Sequence, residues 1–376
     1  MKALISGYYG FNNIGDESIL TAVVENLRAR LPDIEITVLS QNPAATAEKH
    51  QVGAADRRSA GAIIRAVRRC DLLISGGGSL LQDATSRKSI LYYLAVIWLA
   101  FLFRKKVFIY SQGIGPISSG LNRSLTAWTL RRTAGIVVRD EKSGELLAEI
   151  GVPPENVVVT ADPVLRIKPA DPATGREILA REGFFRQAGR PLVGFAIREK
   201  KIQSEFVDEL CLSIQRLRTE FDAQILLIPF YYSEDLPVLE EIEKRLAGTV
   251  LAIKHKYLTD EMLSLIGNVD VLVGVRLHAL IYAAVMDVPM IAVSYDPKIN
   301  SFMHSLGLKA MSAVYDFKSD YFIEEFEKTM RDTHKVQAKV RKNIAALIKK
   351  LDTNEEMIKE IMSPSVHKGG ADEENA

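Results

Sequence analysis

Cysteine is nearly absent from the chain: Cys70 and Cys211 are the two among 376 residues. Two cysteines cannot build a disulfide framework or a cysteine-based metal site, and their scarcity fits a reducing compartment. An excess of one charge is lacking as well. Lys and Arg number 48 against 47 Asp and Glu, a net charge of +1 that removes any whole-chain case for nucleic-acid binding. The opening Met1-Lys2-Ala3-Leu4-Ile5-Ser6-Gly7 carries no signal-peptide apolar region, since its apolar run stops before Gly7 and the acids Asp16 and Glu17 follow. These absences predict a cytoplasmic protein. The 47% apolar and 25% charged residues are ordinary for a globular chain, and the length predicts two or three domains.

A membrane-spanning run is also missing. The longest candidate, residues 89–103 (SILYYLAVIWLAFLF), is charge-free but falls short of the roughly 20 apolar residues a spanning helix needs. Two readings fit it. A helix apolar on all sides is ordinarily core. Its aromatics Tyr92, Tyr93, Trp98, Phe101 and Phe103, flanked by Arg87-Lys88 and Arg104-Lys105-Lys106, equally suit contact with a membrane surface. Both hold if one face of the helix touches lipid.

What is present is an alternation. Short apolar runs at 3–6, 34–39, 71–75, 107–110, 135–138 and 157–160 are separated by helical patterns near 16–30, 60–69, 88–103, 121–132 and 141–150. Near-continuous apolar strands between amphipathic helices indicate a parallel sheet covered on both faces. The pattern restarts with strands at 192–197, 224–229, 250–253, 269–275 and 290–294 and helices near 204–221, 235–246, 259–266, 277–285 and 299–305. The expected organisation is an N-terminal domain over 1–167, a linker over 168–190, a second domain over 191–318, helices over 319–362 that pack back across the junction, and a disordered tail over 363–376. The fold class is α/β, two Rossmann-like doubly wound domains facing a cleft, as in the glycosyltransferase-B architecture.

Ligands of such sheets sit outside the carboxyl ends of the strands, so loops leaving those ends are the candidate sites. The first loop, with Gly10, Asn13, Gly15 and Asp16, runs into a helix start that favours anions. Its spacing is not that of a dinucleotide fingerprint, and residues 39–42 supply no acid for a ribose, so a nicotinamide cofactor is not expected. Asp16 is also a plausible helix cap. A second loop, Gly76-Gly77-Gly78-Ser79-Leu80-Leu81-Gln82-Asp83, allows close backbone approach to a ligand but lacks the Gly-Lys-Ser/Thr of a nucleotide loop. Its glycines equally suit a tight turn under helix packing.

The strongest feature is Arg276-Leu277-His278 directly after an apolar strand. Arginine offers a planar fork for carboxylate or phosphate, and histidine exchanges protons near neutral pH. Arg198 ends the parallel strand of the same domain, Lys298 follows the next strand, and Arg139 ends a strand of the first domain. For Arg198 a salt bridge with Glu199 is the competing explanation; for Lys298 and Arg139 it is a surface or capping role. No D-x-D occurs, no E-x₇-E can be placed around this site, and no His or acidic cluster has metal-ligand spacing. The expected donor is a compact anion with more than one negative group, held by cations without a metal. A sugar-nucleotide glycosyltransferase of the same fold and a non-catalytic saccharide-binding module are the alternatives.

Four segments taken together resemble the polysaccharide pyruvyl transferase family over residues 1 to about 310: Gly7-Tyr8-Tyr9-Gly10-Phe11-Asn12-Asn13-Ile14-Gly15-Asp16-Glu17, the Gly-Gly-Gly-Ser-Leu-Leu-Gln-Asp loop, Gln112-Gly113-Ile114-Gly115-Pro116 and Arg276-Leu277-His278. Within it the chain looks closest to the CsaB type, which pyruvylates secondary cell-wall polymers in Gram-positive bacteria. The resemblance implies phosphoenolpyruvate as donor substrate, no cofactor, and a lipid-diphosphate-linked saccharide acceptor ketalised across the 4- and 6-hydroxyls of N-acetylmannosamine. It further implies work at the inner face of the cell membrane in cell-wall biogenesis and surface-layer anchoring, with Arg276, His278 and Arg198 in the donor site. On this reading His278 is the acid/base, Arg198, Arg276 and Lys298 bind the donor, and Gly10, Asn13, Asp16, Gly77, Gly78, Gln82 and Asp83 hold the acceptor, with Arg139 and Leu277 in the cleft. A homo-oligomer is compatible with the sequence.

Overall fold

The computed structural model describes residues 1–84, 86, 88–198 and 204–363. The first domain runs β1 (Lys2–Tyr9), α1 (Ile14–Arg30), β2 (Glu35–Ser40), α2 (Pro43–His50), β3 (Gly53–Asp56), α3 (Ala60–Arg69), β4 (Leu72–Gly76), α4 (Ser89–Leu102), β5 (Lys106–Gln112), α5 (Gly120–Leu130), β6 (Gly135–Val138), α6 (Glu141–Glu149) and β7 (Val157–Val159). Its seven strands are parallel in the order β3-β2-β1-β4-β5-β6-β7. The strand order reverses between β1 and β4, which opens a crevice beyond their carboxyl ends. Sequence reading misses α2 and β3, because Gly53-Ala54-Ala55-Asp56 is an edge strand without a β-branched or large apolar residue.

The stretch 168–190, expected as a linker, contains a helix, α7 (Pro172–Arg181). Asp171 caps it, and the Gly175 amide donates to Ser264 Oγ at 2.6 Å, so it belongs to the second domain's packing. That domain continues with β8 (Leu192–Ala196), α8 (Ser204–Glu220), β9 (Gln224–Leu227), α9 (Tyr232–Arg245), β10 (Leu251–Ala252), α10 (Thr259–Ile266), β11 (Val271–Gly274), α11 (Leu277–Val285), β12 (Met290–Ser294), α12 (Pro297–Ser305) and β13 (Ser312–Ala313). Its six parallel strands are ordered β10-β9-β8-β11-β12-β13, with the reversal between β8 and β11. Both sheets are doubly wound, and the α/β class of the sequence reading holds.

Three helices close the described residues: α13 (Ser319–Arg331), α14 (Thr333–Lys350) and α15 (Asp352–Met362). Helix α13 buries Phe322 and Phe326 in the second domain. Helix α15 instead lies on the first sheet, where Asn354 donates to Ser111 Oγ at 2.8 Å and Glu355 accepts from Tyr110 and pairs with Arg166 at 3.0 Å. Residues 364–376, most of the expected tail, lie outside the described residues.

The two domains share one apolar core, which joins Ile5, Tyr9 and Ile19 of the first to Phe230, Leu277 and Tyr282 of the second. Ser18 and Tyr282 hydrogen-bond across it, and the Ile14 amide donates to Phe230 O at 3.1 Å. Helix α4 satisfies the core reading on one side, with Ile90, Tyr93, Leu94, Val96, Ile97 and Ala100 buried, while Leu91 and Leu102 on its other side are exposed. Among the described residues no helix is long and apolar enough to cross a membrane.

Candidate active site

Between the domains lies a cleft of about 750 Å³, walled by Arg139 and Asp162 from the first and by Leu277 and Lys298 from the second. His278 follows the cleft-wall residue Leu277 in the first turn of α11, because β11 stops at Gly274 and the helix starts after two intervening residues. Its Nε2 lies 3.7 Å from Asp162 Oδ2 and makes no hydrogen bond among the described residues. On the other side the ring packs on α1: a Cβ at Gly15 would stand 2.2 Å from His278 Nδ1, so only glycine leaves room. Burial pushes the imidazole down to about 4; Asp162 opposes this, and the charges of Arg139, Lys298 and Arg276 add to it. His278 is therefore neutral at pH 7 and able to accept a proton.

Asp16 lies one residue beyond Gly15, partly open to solvent. Asn13, not Asp16, caps α1, accepting from the Gly15 amide at 3.1 Å. Glu17 closes the same loop by accepting from the Gly10 amide at 2.8 Å. Asp16 is left facing Gly78, whose backbone has φ +67° and whose Cβ would come within 2.9 Å of Asp16 Oδ1. Burial and the neighbouring Glu17 charge push its carboxyl up to about 7, against the pull of Lys298 and Arg139 and with some help from Asp162. An acid that holds a proton near neutrality thus follows the glycine on which a histidine that does not is packed.

Arg139 leaves β6 with 5% of its side chain exposed. It donates to Asp162 Oδ2 at 2.9 Å and to Ser79 Oγ at 3.0 Å, and Gly113 gives it space, since a Cβ there would meet its Nε at 2.8 Å. The competing surface or capping explanation for Arg139 gives way to a buried role at the cleft wall, where it holds Asp162 near His278.

The second domain's cations divide. The fork of Arg276 is not open to a ligand carboxylate, as the sequence leads one to expect: its Nε donates to Asp235 Oδ2 at 3.1 Å and its Nη2 to Asp235 Oδ1. Asp235 is fully buried and also accepts from the Phe230 and Tyr231 amides. Arg276 is thereby a tie between α9 and α11. Arg198 donates to Tyr295 Oη at 2.6 Å with its guanidinium 4.9 Å from that ring's centre, while its Nε is buried without a partner among the described residues. Lys298 Nζ lies 5.9 Å from the centre of the same ring and 3.4 Å from Asp296. Glu199, the competing partner for Arg198, lies outside the described residues.

The first domain's loops also sort by role. Gly77 has φ +65° and packs so closely on α1 that a Cβ would meet Ile19 Cγ2 at 1.7 Å, which is the packing explanation for this glycine. Gly10 (φ +80°) turns the chain against Ser40 and Asn42. Asp83, expected to hold the acceptor, accepts from the Ser118 and Ser119 amides at 2.7 and 2.9 Å and so pins the loop before α5. Gln82 is half-buried on the same loop, and Leu277 is part of the cleft wall. Sequence reading missed Asp162, Asp235 and Tyr295. Asp162 had a signal, an acid at the carboxyl end of a predicted strand, whereas Asp235 is one carboxylate among several in an amphipathic helix. Among the described residues no group of three His, Cys, Asp or Glu side chains could hold a metal ion.

The amylovoran biosynthesis protein AmsJ of Erwinia amylovora is 21% identical over 379 residues, covering 83% of this chain and 88% of that one. In fold, the chain is similar to a putative UDP-N-acetylglucosamine 2-epimerase from Listeria monocytogenes, with TM-score 0.67, 13% identity and 96% of each chain covered. It is also similar to Anabaena HepE in complex with UDP and glucose, with TM-score 0.65, 12% identity, and 96% of this chain and 98% of that one covered. At such identities these two establish the architecture alone. A match at the level of sequence goes further: the profile of the polysaccharide pyruvyl transferase family aligns with residues 13–297. That span runs from the cap of α1 to the start of α12 and takes in Asp16, Arg139, Asp162, Arg198 and His278, and on it the chain belongs to the polysaccharide pyruvyl transferase family.

Proposed function

We propose that this protein moves the pyruvyl group of phosphoenolpyruvate onto a lipid-diphosphate-linked cell-wall saccharide, closing a 4,6-ketal on N-acetylmannosamine and releasing phosphate, as the CsaB-type resemblance implies. Family membership supports pyruvyl transfer in polysaccharide synthesis. The observation that carries the chemistry is a neutral His278 packed on Gly15, the residue before a proton-holding Asp16, where the two domains meet. Ketal formation needs both an acid and a base, and two groups pushed apart in pKa by their surroundings supply them.

In this reading Lys298 and Arg198 bind the donor's phosphate and carboxylate, two anionic groups on a compact molecule. Protonated Asp16 gives its proton to the methylene carbon, and the central carbon becomes an oxocarbenium. One sugar hydroxyl adds there while His278 takes its proton. That proton passes from His278 to the phosphate as the carbon–oxygen bond to phosphate breaks. The second hydroxyl then closes the ring and its proton returns to Asp16. The balance is one proton to the new methyl group and one to phosphate. Asp162, held by Arg139, stabilises the transient imidazolium, and Arg276 positions the start of α11. The protein requires no cofactor in this scheme and works in the cytoplasm, at the inner face of the cell membrane.

The test is phosphate release from phosphoenolpyruvate with and without a lipid-linked N-acetylmannosamine-containing acceptor, with mass spectrometry of the saccharide. Acceptor-dependent release with a pyruvate adduct is expected. Absence of release, with phosphoenolpyruvate also failing to raise thermal stability, overturns the assignment.

A further inference from the structure

The charge of this chain is balanced only in total. Residues 57–134 hold thirteen Arg or Lys against two acids, Asp71 and Asp83, so the rest of the chain is net negative. Structure gathers that excess on one face. Helices α3, α4 and α5 lie side by side, α4 touching both of the others. Each ends in a basic group: Arg68-Arg69, Arg104-Lys105-Lys106 and Arg131-Arg132. Cations are favoured at helix C-termini by the macrodipole, but that effect does not explain the lack of neutralising acids. Among the described residues Arg65, Arg68, Arg69, Arg104, Arg131 and Arg132 form no ion pair.

The same face is apolar beyond its basic end. Leu102 is 73% exposed, Leu121 67% and Trp128 46%, with Ile64 and Leu91 also open. Along α4 the outward line Leu91, Ala95, Trp98, Leu102 contains no polar residue. Guanidinium groups lie against the aromatics at its border, Arg132 at 4.1 Å from the centre of Trp128 and Arg68 at 5.8 Å from that of Phe103. Apolar and aromatic side chains bordered at the helix C-terminal ends by unpaired cations match the boundary between lipid chains and anionic headgroups. A face serving a second copy of this chain would set cation against cation on any two-fold axis through it.

We propose that the α3–α4–α5 face seats the protein on an anionic membrane surface. Its meaning for catalysis rests on the lipid-linked acceptor proposed above: α4 begins just after the glycine loop that borders Asp16, so the first turn of this helix links the face to that loop. The docking itself is independent of that reading and is tested without acceptor. Full-length protein is floated with vesicles of phosphatidylcholine alone or rich in phosphatidylglycerol, at low and raised salt. Expected is binding to the anionic vesicles alone, weakened by salt, and reduced about tenfold or more in Leu102→Asp and in Arg68→Glu/Arg69→Glu. Both variants should keep wild-type unfolding and wild-type phosphate release with a short, soluble acceptor. No binding to anionic vesicles, undiminished binding by both variants, or a wild-type dimer that Leu102→Asp dissociates each overturns the proposal, whatever the enzyme assay shows.

Discussion

The two domains present the cleft with the same device, an arginine just beyond a buried parallel strand, and use it in opposite ways. In the first domain Arg139 shares its fork between Asp162 and Ser79, and Asp162 extends on to His278 at 3.7 Å. In the second, Arg276 closes on Asp235, which is fully buried and also caps the start of α9. One arginine organises the wall that faces His278; the other holds two helices together. What decides between them is the carboxylate delivered by a neighbouring loop or helix, Asp162 after β7 or Asp235 within α9. The second domain's open cations are therefore Arg198 and Lys298, which flank Tyr295.

Removing Asp235, and the histidine that Asp162 faces, should separate the two uses. Asp235→Ala leaves a buried guanidinium unpaired and two amides without their acceptor, so a loss of about 3–5 kcal/mol in denaturant unfolding is expected. Intact stability would mean that Arg276 is solvated and free for a ligand. At His278, which faces the first wall, the expected loss is chemical. His278→Ala should lower turnover by about 10²–10⁴-fold with little change in unfolding, since the ring's Nε2 makes no hydrogen bond among the described residues. Wild-type turnover in that variant would remove His278 from the reaction.

This contrast explains how much of the molecule was legible in the sequence. The strands rich in Val and Ile announced both sheets, while Gly53–Asp56 did not, because an edge strand of small residues has no pattern to read. His278 was legible from its place at a strand-to-helix junction. The closure of Arg276 was not, because Asp235 lies 41 residues away in a helix whose acids all look solvent-facing in sequence. Asp16 was read as an acceptor-binding residue or a helix cap, a cap that Asn13 supplies instead, and not as an acid with a displaced pKa. That shift depends on Gly78 and Glu17 enclosing it, and enclosure is a property of the fold. The glycine loop was legible as a loop, but one glycine packs on Ile19 and the next on Asp16, a split that spacing does not reveal.

The first-domain wall and His278 should also answer pH with opposite signs. Folded Asp16 keeps its proton up to about 7, whereas the unfolded chain releases it near 3.8, so stability falls as pH rises through that window. Folded His278 refuses its proton down to about 4, whereas the unfolded chain binds it below 6.5, so stability falls as pH drops through that one. Asp16→Asn should therefore raise stability at pH 8 by about 2 kcal/mol, with the gain shrinking toward pH 4. Turnover in the wild type should be bell-shaped between about 4 and 7 and should collapse in Asp16→Asn. A stabilised variant that retains the wild-type pH profile would show that Asp16 is not the acid.

The smallest expected effect sharpens the comparison most, because Lys298 belongs to the second domain but acts on groups of both. Its charge pulls Asp16 down and pushes His278 down. If it also binds the donor's anion, Lys298→Ala should raise KM for phosphoenolpyruvate about tenfold while leaving kcat nearly unchanged at the optimum. Removing the cation lets both pKa values rise, so both limbs of the turnover profile should move to higher pH together. A lysine that merely pairs with Asp296 at the surface would move neither limb. A KM change without the paired displacement would place Lys298 on the donor but away from the proton-transfer groups, and would leave the acid and base to the first-domain wall and α11 alone.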